Sequence, residues 1–142
     1  MNRPMDISGQ AFIVTGAAKG IGLAISTLFH SLGARVSGWD LDDSAMKGNP
    51  VFADSQVVDV TDPAQTEAGF AASLAALGDI DGMVANAGVN GPTKPLWDYS
   101  LAEWQMVMSV DLTGVFLTVQ AGLDHLRARQ RGRIIIISSI AG

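Results

Sequence analysis

The run TGAAKGIG, Thr15 to Gly22, places Gly16, Gly20 and Gly22 within seven residues, directly behind the apolar stretch AFIV and ahead of a helical pattern. A strand-to-helix turn leaves the first helical N–H groups unpaired at the positive end of the helix dipole, which suits a phosphate. Gly16 permits the tight turn, while Gly20 and Gly22 let a pyrophosphate and the helix come close to the backbone. The spacing is Gly-x-x-x-Gly-x-Gly and not Gly-x-Gly-x-x-Gly, so the glycines alone also fit a turn with no ligand. Asp40 ends the next apolar run, about 20 residues on, where an acid would accept hydrogen bonds from a ribose hydroxyl pair. Asp42 and Asp43 lie beside it, which leaves a solvated loop acid as the other reading.

These groups need a scaffold that brings several strand ends together. Alternating short apolar runs and amphipathic helical patterns predict parallel βαβ units with helices on both faces of a sheet, an α/β fold. Residues 10–16 read as the first strand. Ile21, Ala24, Ile25, Leu28, Phe29 and Leu32 then recur at helical spacing up to Gly33. Residues 34–40 and 55–60 read as the second and third strands. Asp62, Pro63 and Gln65 take the N-cap, N1 and N3 positions of a helix ending at Gly78. Residues 79–88 supply the fourth strand.

Ser100 and Glu103 form a capping box that opens a long helix, with an apolar stripe through Trp104, Val107, Met108, Leu112, Val115, Phe116, Val119, Leu123 and Leu126. Asp111 shares that stripe, so a core-facing carboxylate is expected there. Residues 132–139 form a fifth strand, apolar on both faces as a central parallel strand should be. The loop 89–99 is long enough, and rich enough in Gly and Pro, for a binding loop. In it Trp97 and Tyr99 either wall a pocket or simply pack the loop onto the domain.

With 142 residues and 48% hydrophobic content, the chain is one globular domain in size, and the glycine turn with Asp40 makes a dinucleotide-binding domain over residues 1–142 the expectation. Nine Lys and Arg against fourteen Asp and Glu give a net charge of −5, which disfavours nucleic acid as a partner. Cysteine is absent and the first ten residues are polar. No disulfide framework, signal peptide, membrane span or metal site is therefore expected, and a reducing cytoplasm fits best.

The sequence resembles the short-chain dehydrogenase/reductase family over its whole length. Thr15 to Gly22 matches the family's Thr-Gly-x-x-x-Gly-Ile-Gly cofactor loop, Asp59 and Val60 its adenine contact, and Asn86-Ala87-Gly88 its fourth-strand signature. Ser139 matches the serine that hydrogen-bonds the substrate's carbonyl or hydroxyl oxygen; spacing alone does not choose between it and Ser138. The resemblance implies a Rossmann-type doubly wound parallel sheet, with strand order 3-2-1-4-5 for the strands present. It also implies a cofactor set of Thr15, Gly16, Lys19, Gly20, Ile21, Gly22, Asp40, Asp59, Val60, Asn86, Ala87 and Gly88.

At Asp111 the family usually has an asparagine that supports a water leading to the catalytic lysine, with a glycine nearby matching Gly114. Asp111 is thus the second catalytic candidate beside Ser139, its alternative being a plain hydrogen-bond acceptor. The family's Tyr-x-x-x-Lys pair, general acid/base and pKa-lowering cation, has no counterpart here. The sequence ends at Gly142, and Tyr99 stands elsewhere. The expectation is the cofactor half of a dehydrogenase, inactive alone, lacking the sixth and seventh strands.

The implied reaction moves hydride between a nicotinamide and an alcohol or ketone, with a non-catalytic dinucleotide-binding module as the alternative. A homodimer or homotetramer through residues 100–130 is expected of the full-length protein. For the cofactor, Lys19 resembles the basic residue that holds the 2′-phosphate of NADP, and Asp40 the acid of NAD users. A carboxylate bonded to ribose hydroxyls contributes about 1.5–3 kcal/mol, and it repels a phosphate some ~4 Å away by up to roughly 4 kcal/mol. An exposed lysine pair contributes only about 0–1 kcal/mol, so NAD is expected over NADP.

Overall fold

A computed structural model describes residues 6–140. Five strands, β1 (Ala11–Thr15), β2 (Arg35–Asp40), β3 (Asp54–Val57), β4 (Gly82–Ala85) and β5 (Arg133–Ile136), form one sheet in the order β3-β2-β1-β4-β5. Every pairing is parallel, with Phe12 level with Val36 on one side and Gly82 on the other. This is the doubly wound α/β order that the family resemblance implies.

Helix α1 (Gly20–Ser31) covers one face of the sheet. Helices α2 (Pro63–Leu77) and α4 (Gly114–Ala128) cover the other, with α3 (Leu101–Met108) leading into α4 through a π-helical segment, Ser109–Thr113. Alternation along β1 divides the core between the faces. Ala11 and Ile13 pack with Trp39, Phe70, Ile80 and Met83, whereas Val14 packs with Val36, Met46 and Val84 under Ile25 and Phe29 of α1. Asp62 caps α2 by accepting from the Ala64 and Gln65 amides, and Gly78 ends it at φ +77°. The capping box of Ser100 and Glu103 is formed in full.

The strands are shorter than their apolar runs. Val58, Asp59 and Val60 lie beyond β3, and Asn86 to Gly88 beyond β4, which puts these residues at the carboxyl ends where a ligand can reach them.

Both apolar stripes differ from expectation. On α1 the buried residues are Gly22 and Ser26, while Ile21 and Leu28 are exposed. On α4 they are Gly114, Leu117, Thr118, Gly122 and Leu126, while Leu112 and Phe116 face outward at 60% exposure. Close approach to the sheet selects small residues. A Cβ on Gly122 would lie 2.2 Å from Met83 Sδ, and one on Gly114 2.8 Å from Val60 Cγ2. Ile21, Leu28, Leu112 and Phe116 therefore face outward, while Ile25 and Phe29 pack on the core and Leu117 and Leu126 are buried. By length and composition Leu101–Ala128 would suffice to cross a membrane. Its Leu117, Gly122 and Leu126 side, however, is buried in the layer over the sheet.

Candidate dinucleotide-binding site

The turn after β1 takes its shape from two left-handed residues, Gly16 at φ +63° and Gly20 at φ +57°, where a Cβ would add strain. Gly22 is needed for a different reason. A Cβ there would lie 2.1 Å from the Gly16 carbonyl oxygen and 2.6 Å from Asn86 Nδ2, so Gly22 lets α1 start directly against the turn. Around Gly20 the Cβ position meets nothing within 4 Å, which leaves room for a ligand over the start of α1. No side chain caps that helix start, where the exposed Lys19 is the N-cap residue, so its first amides have no internal partner.

Asp40, at the end of β2, reaches into the same turn. Its Oδ2 accepts the Ala18 N–H at 3.0 Å and its Oδ1 the Leu41 N–H at 2.8 Å. A carboxylate has about four acceptor positions, so capacity remains for two hydroxyl donors. Asp59 Oδ1 accepts from the Thr61 hydroxyl at 2.7 Å and the Thr61 amide at 2.9 Å, and the Asp59 amide donates to Gln65 Oε1. These bonds fix the turn after β3, with Val60 buried against the Gly114 surface of α4.

Thr15 lies behind the cleft. It is only 1% exposed, and its hydroxyl oxygen accepts the amides of Asn86 at 3.0 Å and Ala87 at 2.9 Å. It does not line the cleft; it ties β1 to the exit of β4. Asn86 completes that tie, donating from Nδ2 to the carbonyls of Thr15 at 3.0 Å and Gly16 at 3.3 Å.

Together these strand ends enclose a cleft of about 550 Å³. Gly16, Lys19, Gly20, Ile21, Asp40, Asp59, Val60, Asn86, Ala87 and Gly88 all line it. Val89 and Asn90 of the expected binding loop also line it, and sequence reasoning missed Trp39, Leu41, Val58 and Val110. The available signal was adjacency, since most of these residues flank a strand-end residue already singled out.

Asp111 also departs from expectation. It stands in the π-helical segment, exposed and not facing the core, so no buried charge arises. Its Oδ1 accepts the Val89 N–H at 2.8 Å and lies 3.3 Å from where a Gly88 Cβ would sit. The carboxylate thus pins the chain leaving β4. π-Helical segments of this kind are frequent beside functional sites. Ser139 is exposed, three residues past β5 on the carboxyl side of the sheet, and is not among the residues lining the cleft.

In the loop 89–99, Tyr99 packs the loop. Its hydroxyl donates to the Pro92 carbonyl at 2.6 Å, and Lys94 Nζ lies 5.6 Å from its ring centroid. Trp97 is 85% exposed and walls no cavity among the described residues. The cleft accordingly offers the uncapped amides of α1 at one end, two carboxylates along its side, and the backbone of residues 86–90 at the other end.

That arrangement agrees with known proteins. The profile of the short chain dehydrogenase family matches residues 10–142. A 2-dehydro-3-deoxy-L-rhamnonate dehydrogenase (NAD(+)) of Sphingomonas sp. (strain SKA58) is 32% identical over 138 residues, covering 95% of this chain and 55% of that protein. The crystal structure of an NAD+-bound xylitol dehydrogenase superposes with a TM-score of 0.91 at 28% identity, covering 96% of this chain and 55% of the other. A metagenomic short-chain oxidoreductase in complex with NADP superposes at 0.87 with 35% identity, covering 95% and 64%. The chain spans little more than half the length of the relatives it matches, at 55% and 58% for two of them. On the profile match, the parallel strand order and the glycine turn together, the chain belongs to the short chain dehydrogenase family.

Proposed function

We propose that the protein is an NAD-dependent oxidoreductase that moves hydride between the nicotinamide and an alcohol or ketone. The observation that carries this reading is Asp40, held at the cleft by the Ala18 and Leu41 amides with acceptor capacity to spare. In this assignment Gly16 to Gly22 hold the pyrophosphate, Asp40 the adenosine ribose, and Asp59 and Val60 the adenine. A 2′-phosphate at that ribose would meet the Asp40 charge, a repulsion larger than Lys19 on the surface offsets.

When bound, NAD would accept the hydride of an alcohol, and NADH would donate one to a ketone. The chain's own residues orient the cofactor. Thr15 and Asn86 fix the exit of β4, Asp111 fixes Val89, and Ser139 hydrogen-bonds the substrate oxygen. The proton for that oxygen is assigned to no described residue, because the Tyr99 hydroxyl is committed to Pro92. The outward apolar face of α3 and α4, with Leu101, Trp104, Leu112 and Phe116 exposed, supports assembly as a homodimer or homotetramer.

Equilibrium titration with NADH and NADPH tests the reading. We expect NADH to bind at least about tenfold more tightly, the equivalent of one 1.4 kcal/mol step. Equal affinity, or preference for NADPH, would overturn the assignment of Asp40.

A further inference from the structure

A second cleft, of about 590 Å³, opens at the amino ends of the strands, where Arg35 starts β2, Arg133 starts β5 and Arg131 precedes it. Five-residue β1 separates this end from the glycine turn by about 15 Å at ~3.3 Å per residue. The cleft is therefore distinct from the dinucleotide site.

Its charge is unusual for this chain. Four of the nine Lys and Arg, namely Arg35, Arg129, Arg131 and Arg133, gather at or beside it, although the net charge is −5. The two acids in its lining are already engaged. Arg129 pairs with Asp79 at 2.7 Å and Asp81 at 2.9 Å, His125 Nε2 lies 3.0 Å from Asp79, and Asp81 Oδ2 accepts the Ala11 amide at 2.9 Å. Three guanidinium groups remain with donors to spare. Arg35 gives one to the Leu77 carbonyl and Arg133 one to Gln10 Oε1 at 3.1 Å. Arg131 makes no hydrogen bond among the described residues, and its charge acts only at a distance on Asp81.

Each guanidinium offers five N–H donors in a planar fork that matches an oxyanion. Strands β2 and β5 are separated by β1 and β4, so their starts lie about 14 Å apart at ~4.8 Å per step. Arg35 and Arg133 nevertheless line one cleft, so guanidinium groups from both strand starts share it, and an anion with acceptor oxygens on several sides matches them. We propose that this amino-end cleft binds a compact multivalent oxyanion between Arg35, Arg131 and Arg133, independently of the dinucleotide site.

The probes are inorganic phosphate and citrate at fixed ionic strength, with sodium chloride as control. We expect either probe to raise Tm saturably by about 2–5 °C. It should also move the amide NMR signals of Ser8, Gly9, Gln10 and Gly132 with NADH saturating. A response to phosphate alone assigns a phosphorylated ligand, and a response to citrate alone a polycarboxylate. In Arg131→Ser/Arg133→Ser, two exposed positions, the Tm response should vanish while NADH affinity stays unchanged. A response equalled by chloride, retained in the double variant, or confined to the amides of residues 16–22 would overturn the proposal. If the double variant fails to fold, the NMR map of the unaltered protein decides by the same amides.

Discussion

Asp40 and Ala18 are joined across the mouth of the cleft, the carboxylate Oδ2 accepting the Ala18 N–H at 3.0 Å. The bond connects the end of β2 to the turn between β1 and α1, so the acid proposed to hold the ribose also shapes the glycine turn.

Asp40→Ala should lower NADH affinity by about 10- to 100-fold, the loss of roughly 1.5–3 kcal/mol of charged hydrogen bonding. NADPH affinity should hold or rise, since the repulsion is removed. Isothermal titration of both cofactors measures the ratio. A ratio unmoved by the substitution would show that Asp40 only holds the loop.

Gly22→Ala and Gly20→Ala separate packing from conformation. The first would put a Cβ 2.1 Å from the Gly16 oxygen, while the second meets nothing but must adopt φ +57°. Gly20→Ala should cost about 1–2 kcal/mol, the strain of a left-handed alanine. Gly22→Ala should cost more, because the clash is with backbone and not with a flexible side-chain end. Thermal melts followed by circular dichroism compare them, and equal losses would contradict the geometry.

What was legible in the sequence follows a physical division. Capping and turn chemistry are local, so Asp62, Ser100, Glu103, Gly16 and Gly78 could be placed before any coordinates. The apolar stripes held at Ile25, Phe29 and Leu126 but not elsewhere, because size was taken as a marker of burial, whereas the sheet accepts α1 and α4 through Gly22, Ser26, Gly114 and Gly122. Phe116 and Leu112 belong to an outward surface. The placement of Thr15 was not legible, because a buried hydroxyl tying two strands and an exposed one meeting a ligand are the same letter in sequence. The engagement of Tyr99 with Pro92 depends on loop geometry that spacing does not encode.

Asp111→Asn should keep the Val89 contact, because the amide oxygen can take the place of Oδ1. Asp111→Ala should release the chain after β4 and weaken NADH binding about fivefold, equivalent to roughly 1 kcal/mol for one hydrogen bond. Since Asp111 is exposed, neither change should lower Tm by more than a few degrees. A large fall in Tm with the alanine variant would make the contact a folding element first.

Phe116→Glu tests the outward face of α3 and α4. Phe116 is 60% exposed beside Leu112 at the same exposure, and a charge in the centre of such an apolar patch opposes burial against a second copy. Sedimentation velocity should show assembly by the unaltered protein and monomers for the variant. Persistent assembly in the variant would move the interface elsewhere.

Glu103 makes stability depend on acid. Its carboxylate accepts Lys94 Nζ at 2.7 Å and the Ser100 amide at 2.8 Å. First the Lys94 bond and then the Ser100 amide hold its pKa at about 2, against an ordinary 4.5. A folded-state pKa below the unfolded one means that the contribution is fully present above about pH 4.5 and is lost as pH falls towards 2. Glu103→Gln should therefore lower the urea midpoint at pH 7, the gap should narrow below pH 4.5, and the two proteins should converge near pH 2. The same substitution frees Lys94, so proteolysis in the loop 89–99 should speed up at neutral pH and not in acid. Parallel stability curves across that range would show that the Lys94 and Ser100 contacts contribute nothing to holding the loop on α3.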